Sequence, residues 1–391
     1  MRANWAWWLP PLSWIPYDDP RDPVENSVRA PLYQRLRGRI NAGIDGILSG
    51  SRWKLKALCA VAAIALFRAF PSYDALASDF HRGTWRDVQI KFDHPLIDTS
   101  RIFAPGSHES KLTYRLTVPI LAHVLHLGET GLLILFGLSG FVLLYLILKV
   151  VFTLTGSKRA ALFVCLAVAC VWPGQAAFHE LRGGYYDALA LCLLVAACAT
   201  SSSLLTAALV FLAAWTDERA LIASSFVFLL RRGKAVAVVV AAAVYLGIRA
   251  YLTTTISGVD VGGVGFVILS QQLNVIPLAI WTGLGGAWIL VFAGALAFVR
   301  EKRYLAAAGF CGALALVIVV SMLVADTTRS MAYCLPAAFV ALTALNPNRI
   351  EKLSAIAAAI SVLVPSFYLE GSSGFFWLYP LPVQIARWLG F

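Results

Sequence analysis

The stretch His179-Glu180-Leu181-Arg182-Gly183-Gly184-Tyr185-Tyr186-Asp187 lies between two apolar runs, 160–178 and 188–199. A turn that only connects two membrane helices needs few polar residues, yet His, Glu, Arg and Asp all occur in these nine positions. Ionisable groups near membrane depth are costly and usually line a cavity or a pathway. The stretch therefore predicts a functional site between two membrane helices.

The composition predicts an all-α polytopic membrane protein. Hydrophobic residues make up 59% of the 391 residues and charged residues 14%, with a mean hydropathy of +0.75. Several runs approach the roughly 20 apolar residues with which a helix crosses a bilayer. We expect about eleven transmembrane helices, at 54–70, 130–149, 160–176, 187–200, 203–215, 219–231, 235–252, 275–299, 304–325, 331–346 and 353–369.

The loops between these spans alternate between two kinds. One kind is short and basic, such as 231–234 and 300–303, and together with the N-terminal segment these loops hold most of the Lys and Arg residues. By the positive-inside rule this side is cytoplasmic, with the N-terminus on it. The other loops are long or acidic, so every unusual polar cluster is predicted on the outer face of the cell (inner) membrane.

Two regions are expected on either side of residue 52. Residues 1–52 combine tryptophans with arginines, a composition that favours the headgroup layer and the cytoplasmic face, and predict an interfacial N-terminal segment. A disordered tail is the alternative. Residues 53–391 predict a single multi-span domain with a long first outer loop at 71–129.

Three predicted spans, 187–200, 203–215 and 219–231, are too short to cross the hydrocarbon core, since a 13-residue helix covers only about 20 Å. Short helices predict a recessed polar mouth that faces protein or a water-filled cavity. Asp217-Glu218-Arg219 would form its floor. The competing interpretation is one hairpin, 203–231, with an ordinary solvated turn.

The stretch Thr113–Leu127 predicts an amphipathic helix on the outer surface that carries Arg115, His123 and His126. No phosphate-binding glycine loop of the nucleotide type occurs, and the positive charge follows membrane topology, so we expect no nucleotide and no nucleic-acid partner. The cysteines lie in apolar runs and predict packing rather than disulfides or a metal site.

Carboxylates and guanidiniums converge on the predicted outer face. A carboxylate in a partly dry cleft can act as general base, and the arginine fork matches two phosphate oxygens. A substrate that carries a lipid phosphate would suit a site with both a carboxylate base and arginines. The simpler interpretations are that Asp326 and Arg329 pair only with each other and that many first-loop charges are solvated. The candidate binding residues are Arg115, His179, Glu180, Arg182, Tyr186, Asp187, Asp217, Glu218, Arg219, Asp326 and Arg329.

An early aspartate in the first outer loop (Ser78-Asp79-Phe80) is followed by Tyr114-Arg115-Leu116-Thr117-Val118-Pro119 and many spans with acidic outer turns. This arrangement resembles the integral-membrane glycosyltransferases of the GT-C superfamily, especially the mannosyl- and arabinosyltransferases of the bacterial cell envelope. The resemblance implies transfer of a sugar from a polyprenyl-phosphate donor to a glycan, lipid or protein acceptor, in polysaccharide biosynthesis. Asp79 would be the catalytic base.

The same resemblance implies that Arg182, Arg219 or Arg329 holds the donor phosphate. His179, Glu180 and Asp187 would shape the sugar pocket, or hold a divalent ion through oxygen ligands. Two alternatives stay open: a polysaccharide polymerase or ligase of the O-antigen type, and a lipid or sugar transporter. A transporter should show inverted repeats and charges at mid-span, neither of which the sequence shows.

Overall fold

The structure, a computed structural model, describes residues 32–71, 83–104, 107, 109–179, 184–255, 265–370 and 374–390. Helices dominate these residues. In chain order they are α1 Leu32–Leu48, α2 Trp53–Arg68, α3 Gly83–Asp93, α4 Thr117–Val124, α5 Glu129–Thr155, α6 Lys158–Ala169, α7 Trp172–His179, α8 Asp187–Ala199, α9 Ser203–Thr216, α10 Arg219–Leu230, α11 Ala235–Thr255, α12 Phe266–Gln272, α13 Ile276–Leu284, α14 Trp288–Arg300, α15 Tyr304–Met322, α16 Thr327–Met331, α17 Leu335–Leu342, α18 Pro347–Leu363 and α19 Leu381–Trp388.

The chain divides into two compact units, residues 1–49 and residues 50–391. In the first, α1 is a helix whose Leu36 and Ile40 are exposed beside exposed arginines. The interfacial location of this segment stays a prediction.

Among the described residues of the second unit, four helical segments are long and apolar enough to cross a membrane, or up to five if a bent pair counts as one span. The four are α5, most of α11, α15 and the continuous stretch Phe266–Arg300. The prediction of a helical membrane protein is confirmed at this level. The number of eleven spans stays a prediction.

The three short helices α8, α9 and α10 begin and end within two residues of the predicted short spans. Ser202 caps α9, since its hydroxyl accepts from the Leu205 N–H at 3.3 Å. At the other end the chain turns at Asp217 and immediately starts α10. These helices are mostly apolar after their first residue, and each is followed by a polar residue: Thr200, Asp217 and Arg231.

The predicted span 160–176 is interrupted, because α6 and α7 meet at a bend of 55°, as in a broken span or a re-entrant loop. Pro173 lies in the first turn of α7, where its missing N–H costs nothing, and it disfavours helical backbone in Trp172 before it. At Gly174 a Cβ would lie 2.5 Å from the Cα of Ala169. The chain therefore packs tightly against itself at the bend, and α7 points in a new direction.

The helix predicted at Thr113–Leu127 is shorter than expected. A 3-10 helix, Glu109–Tyr114, precedes α4, and Arg115 lies between the two. Val118, Pro119 and Ala122 face the protein, while Ile120 and Val124 are exposed. Arg115 is thus not on the amphipathic helix, and it is buried.

The predicted all-α architecture also needs a correction at the C-terminal end. Helix α18 ends at Leu363, and the chain then forms an antiparallel hairpin of β1 Phe367–Glu370 and β2 Gly374–Trp377. Phe367 pairs with Trp377 and Tyr368 with Phe376. Aromatic residues favour strands because they pack well on a pleated surface, and five of these eight strand residues are Phe, Tyr or Trp.

Candidate functional site

Six charged side chains from four parts of the chain meet at one end of the helices. They come from the loop before α4, the first residue of α8, the turn between α9 and α10, and the start of α16. We name them the charge cluster: Arg115, Asp187, Asp217, Arg219, Asp326 and Arg329.

Asp187 lies at the centre of the charge cluster and is fully buried. Its Oδ1 accepts from Arg219 Nη2 at 2.5 Å, and its Oδ2 accepts from Arg329 Nε at 2.6 Å. The Tyr333 hydroxyl lies 3.4 Å from Oδ1. Asp187 is also the first residue of α8, where a carboxylate interacts favourably with the helix dipole. One carboxylate therefore joins two arginines from different helices.

Asp217 forms the second centre and is also fully buried. Arg219 donates two hydrogen bonds to this carboxylate, from Nε to Oδ1 at 2.7 Å and from Nη2 to Oδ2 at 2.5 Å. Arg115 Nη2 lies 3.4 Å from Oδ2. The alternative of an ordinary solvated turn is wrong for Asp217 and Arg219, whereas Glu218 between them is exposed.

Arg329 is 1% exposed, and it links the cluster to the C-terminal hairpin. Its Nη1 donates to Asp326 Oδ2 at 2.6 Å, as the spacing of three residues predicts. The other oxygen of Asp326 accepts from the Tyr368 hydroxyl at 3.0 Å. The Arg329 guanidinium also lies 4.0 Å from the centre of the Tyr185 ring. The pair is thus part of a network and not an isolated contact at a helix end.

The balance of charge limits what the cluster can do chemically. Its three carboxylates each accept from at least one guanidinium, and the cluster carries as many positive as negative charges. A general base needs a carboxylate that can take up a proton, and strong pairing with arginine opposes that. The cluster is therefore better suited to binding and positioning than to proton transfer.

A small cleft, with room for about one water molecule, opens beside the cluster. Arg219 lies at its polar end, where Nη1 donates to Ser330 Oγ at 2.8 Å and the guanidinium lies 5.3 Å from the centre of the Tyr333 ring. Apolar side chains from α10 and α15 form the rest of the wall: Ile222, Val317 and Val320. The cleft therefore has a guanidinium at one end and apolar side chains at the other.

Not every predicted site residue belongs to this cluster. His179 packs near Trp172, and its Nε2 lies 3.0 Å from the carbonyl oxygen of Ala69, so it has a structural contact at the end of α2. Tyr186 is buried against Phe136, with ring centres 6.1 Å apart. Asp79, Glu180 and Arg182 lie outside the described residues.

The sequence interpretation missed four residues that contact the cluster. They are Tyr185, Ser330, Tyr333 and Tyr368. Tyr185 stands inside the stretch that was singled out. The other three lie in or beside predicted apolar spans, where a hydroxyl that needs a buried partner is itself a signal.

In the part of the chain that the structure describes, no group of three or more His, Cys, Asp or Glu residues is placed to hold a metal ion. All seven cysteines are free thiols, five of them buried and two, Cys59 and Cys311, exposed. The sequence matches no family model, no curated protein and no solved structure.

Proposed function

We propose that the protein is a membrane glycosyltransferase that moves a sugar from a polyprenyl-phosphate donor to an acceptor at the outer face of the membrane. The observation that carries the proposal is Arg219, which two buried carboxylates hold at the polar end of the small cleft, beside apolar side chains of α10 and α15. A polyprenyl phosphate has the same division into a charged group and a hydrocarbon chain.

Arg219 would bind the donor phosphate and stabilise the charge that develops on it as the leaving group. A preorganised guanidinium is effective in that role because it needs no reorganisation during the reaction. Asp187 and Asp217 hold the side chain in place from the two sides of its fork. Ser330 and Tyr333 complete the polar end of the cleft.

The acceptor hydroxyl needs a base that the charge cluster does not supply, because its carboxylates are paired with arginine. The resemblance to the GT-C superfamily assigns this role to Asp79. Deprotonation by Asp79 would let the acceptor oxygen attack the anomeric carbon while the polyprenyl phosphate leaves.

The experiment is transfer of radiolabelled sugar from purified polyprenyl-phosphate donors by membranes of a strain that lacks the protein, supplied with wild type or a variant. Asp79→Asn and Arg219→Gln should each lower transfer at least 100-fold, which corresponds to about 2.7 kcal/mol of transition-state stabilisation. Arg300→Gln is the matched control, since Arg300 is an exposed arginine in a basic turn.

Transfer by wild type with loss in both site variants, and normal amounts of folded protein, would support the proposal. Full activity of Asp79→Asn would show that the base is another residue. No transfer from any donor by the wild type would contradict the proposal as a whole.

A second candidate is a transporter of a lipid or sugar, which one observation favours. Helices α6 and α7 form a bent pair, and Phe266–Arg300 contains two 3-10 turns, Leu273–Val275 and Gly285–Ala287. Interrupted helices are typical of transporter substrate sites. Uptake or flipping of a labelled lipid-linked sugar by proteoliposomes, without any transfer of the sugar, would select this function.

A further inference from the structure

A second group of polar side chains lies beside the charge cluster, next to α4 and the end of α11. Four buried side-chain atoms there have no hydrogen-bond partner among the described residues: Tyr114 Oη, Arg115 Nε, Tyr186 Oη and Arg249 Nη1. All four are hydrogen-bond donors, and two belong to permanently charged guanidiniums.

These residues are connected by direct contacts. The Arg249 guanidinium lies 3.5 Å from the centre of the Tyr114 ring, and Arg115 follows Tyr114 in the chain. Arg115 Nη1 donates to the carbonyl oxygen of Gly184 at 3.2 Å, which places it beside the segment that carries Tyr186. Tyr114, Arg115 and Arg249 are therefore neighbours, and Tyr186 lies two residues after Gly184, which Arg115 contacts.

The remaining contacts of Arg115 orient its free donor. Its Nη1 and Nη2 atoms contact Gly184 and Asp217, so Nε is the one nitrogen of this guanidinium that has no acceptor among the described residues. The nearby Glu218 is exposed. Tyr114 is 4% exposed, Arg115 8% and Tyr186 1%, whereas the Arg249 side chain is partly exposed and only its Nη1 atom is buried.

A buried donor without an acceptor is unfavourable, and native proteins rarely leave several together. The two guanidiniums can only donate, so the missing partner has to supply acceptors and is favoured if it is an anion. A phosphate group is an anion with several acceptor oxygens. Arginine guanidiniums and tyrosine hydroxyls commonly donate hydrogen bonds to such a group.

We propose that Tyr114, Arg115, Tyr186 and Arg249 form an oxyanion site that binds a phosphate group. The group is either that of a phospholipid head or free phosphate. Arg249 lies in the last two turns of α11, a helix that is mostly exposed within the chain and suited to contact lipid. The site shares no residue with the lining of the Arg219 cleft. Its existence does not depend on glycosyl transfer.

The first test measures thermal unfolding of the full-length protein in detergent, in sodium phosphate and in sodium chloride of equal ionic strength. Phosphate should raise the unfolding midpoint of the wild type, since a ligand that binds only the folded state stabilises it. Arg249→Gln should weaken the apparent phosphate affinity at least tenfold, and Tyr114→Phe should weaken it severalfold. Tyr251→Phe and Arg300→Gln, which change exposed side chains, should respond to phosphate as the wild type does.

Tyr114→Phe also separates ligand binding from a purely structural role. The ring that stacks on Arg249 remains, and only the hydroxyl is lost. Without phosphate, this variant should be at least as stable as the wild type, because a buried hydroxyl without a partner has been removed. If Arg249→Gln does not fold, the phosphate affinity of Tyr114→Phe alone tests the proposal.

The second test uses native mass spectrometry with dioleoyl phosphatidic acid and dioleoylglycerol, which share their acyl chains and differ in the phosphate. Retention of phosphatidic acid alone, lost in Arg249→Gln and reduced in Tyr114→Phe, would assign the site to a lipid head. Phosphate stabilisation without phosphatidic acid retention would assign it to free phosphate. If neither probe distinguishes the wild type from the two variants, the oxyanion site is refuted.

Discussion

Arg329 and Asp187 are 142 positions apart in the sequence, yet Arg329 Nε donates to Asp187 Oδ2 at 2.6 Å, and both side chains are buried. The contact joins α8 to α16, and Arg219 joins α10 to the same carboxylate. Burying a charge is costly unless it is paired, so each member of the cluster depends on the others. The elements that carry them are fixed to each other at this end of the helices.

Removing the charge of Asp187 should therefore destabilise the protein. Asp187→Asn keeps the shape of the side chain but leaves two guanidiniums facing a neutral amide, with an expected cost of about 3–5 kcal/mol. The free energy of unfolding can be measured by denaturant titration in mixed micelles.

Glu301→Gln is the control for Asp187→Asn. Glu301 pairs with Arg303 in an exposed turn, where an ion pair contributes at most about 1 kcal/mol. Equal small effects of the two substitutions would show that the cluster does not stabilise the fold.

Arg68 connects the end of α2 to two other chain segments. Its Nη1 donates to the carbonyl oxygens of Cys170 at 3.0 Å and Ser361 at 2.6 Å, and its Nη2 donates to that of Val364. The carbonyls at a helix C-terminus are unpaired by the helix itself and favour a cation.

We expect Arg68→Met to lower the free energy of unfolding by about 2–4 kcal/mol, since several buried carbonyls lose their donor. Arg68→Lys should retain only part of the lost unfolding free energy, because one ammonium group cannot reach all three carbonyl oxygens. Arg349→Met, at an exposed arginine, is the control. An effect of Arg68→Met as small as that of the control would contradict the prediction.

Gly294 marks a close approach between α14 and α17. A Cβ at this position would lie 2.5 Å from the Cβ of Ala341 and 2.6 Å from its Cα. Gly294→Ala should therefore cost about 1–3 kcal/mol through overpacking.

Gly247 on α11 is the matched comparison, because nothing lies within 4 Å of a Cβ built there. Gly247→Ala should stabilise the protein by up to about 1 kcal/mol through helix propensity. Measurement of both variants in the same micelles tests the helix contact. A stable Gly294→Ala protein would mean that α14 and α17 can separate freely.

Lys91 on α3 gives a prediction about pH. It is fully buried, and its Nζ donates to the carbonyl oxygens of Ile97 at 2.9 Å and Thr113 at 3.1 Å. Burial lowers the pKa of Lys91 to about 8, although the nearby Asp98 opposes the shift. Between pH 8 and the usual pKa of 10.5, the unfolded chain binds more protons than the folded protein at this residue.

The contribution of Lys91 to stability should therefore rise with pH from about 8 to 10.5, by up to about 3 kcal/mol, and be constant below pH 8. The difference in unfolding free energy between wild type and Lys91→Met, followed from pH 7 to 10.5, isolates this residue from other titrating groups. If the difference in unfolding free energy between the two proteins does not change with pH over this range, the lowered pKa of Lys91 is refuted.

The sequence by itself determined the helical, apolar class of the protein and the limits of α8, α9 and α10. Those features are local: a run of apolar residues forms a helix, and a residue such as Asp217 ends it. The sequence also singled out all six charged residues that form the cluster, because charges are conspicuous in an apolar chain.

Tertiary structure alone decided which of those charges pair. Asp187 accepts from arginines 32 and 142 positions away, and no local pattern encodes such separations. The same applies to the bend between α6 and α7 and to the hairpin whose Tyr368 donates to Asp326. Long-range contacts depend on how whole helices pack, so neither hydropathy nor spacing along the chain can specify which charges meet.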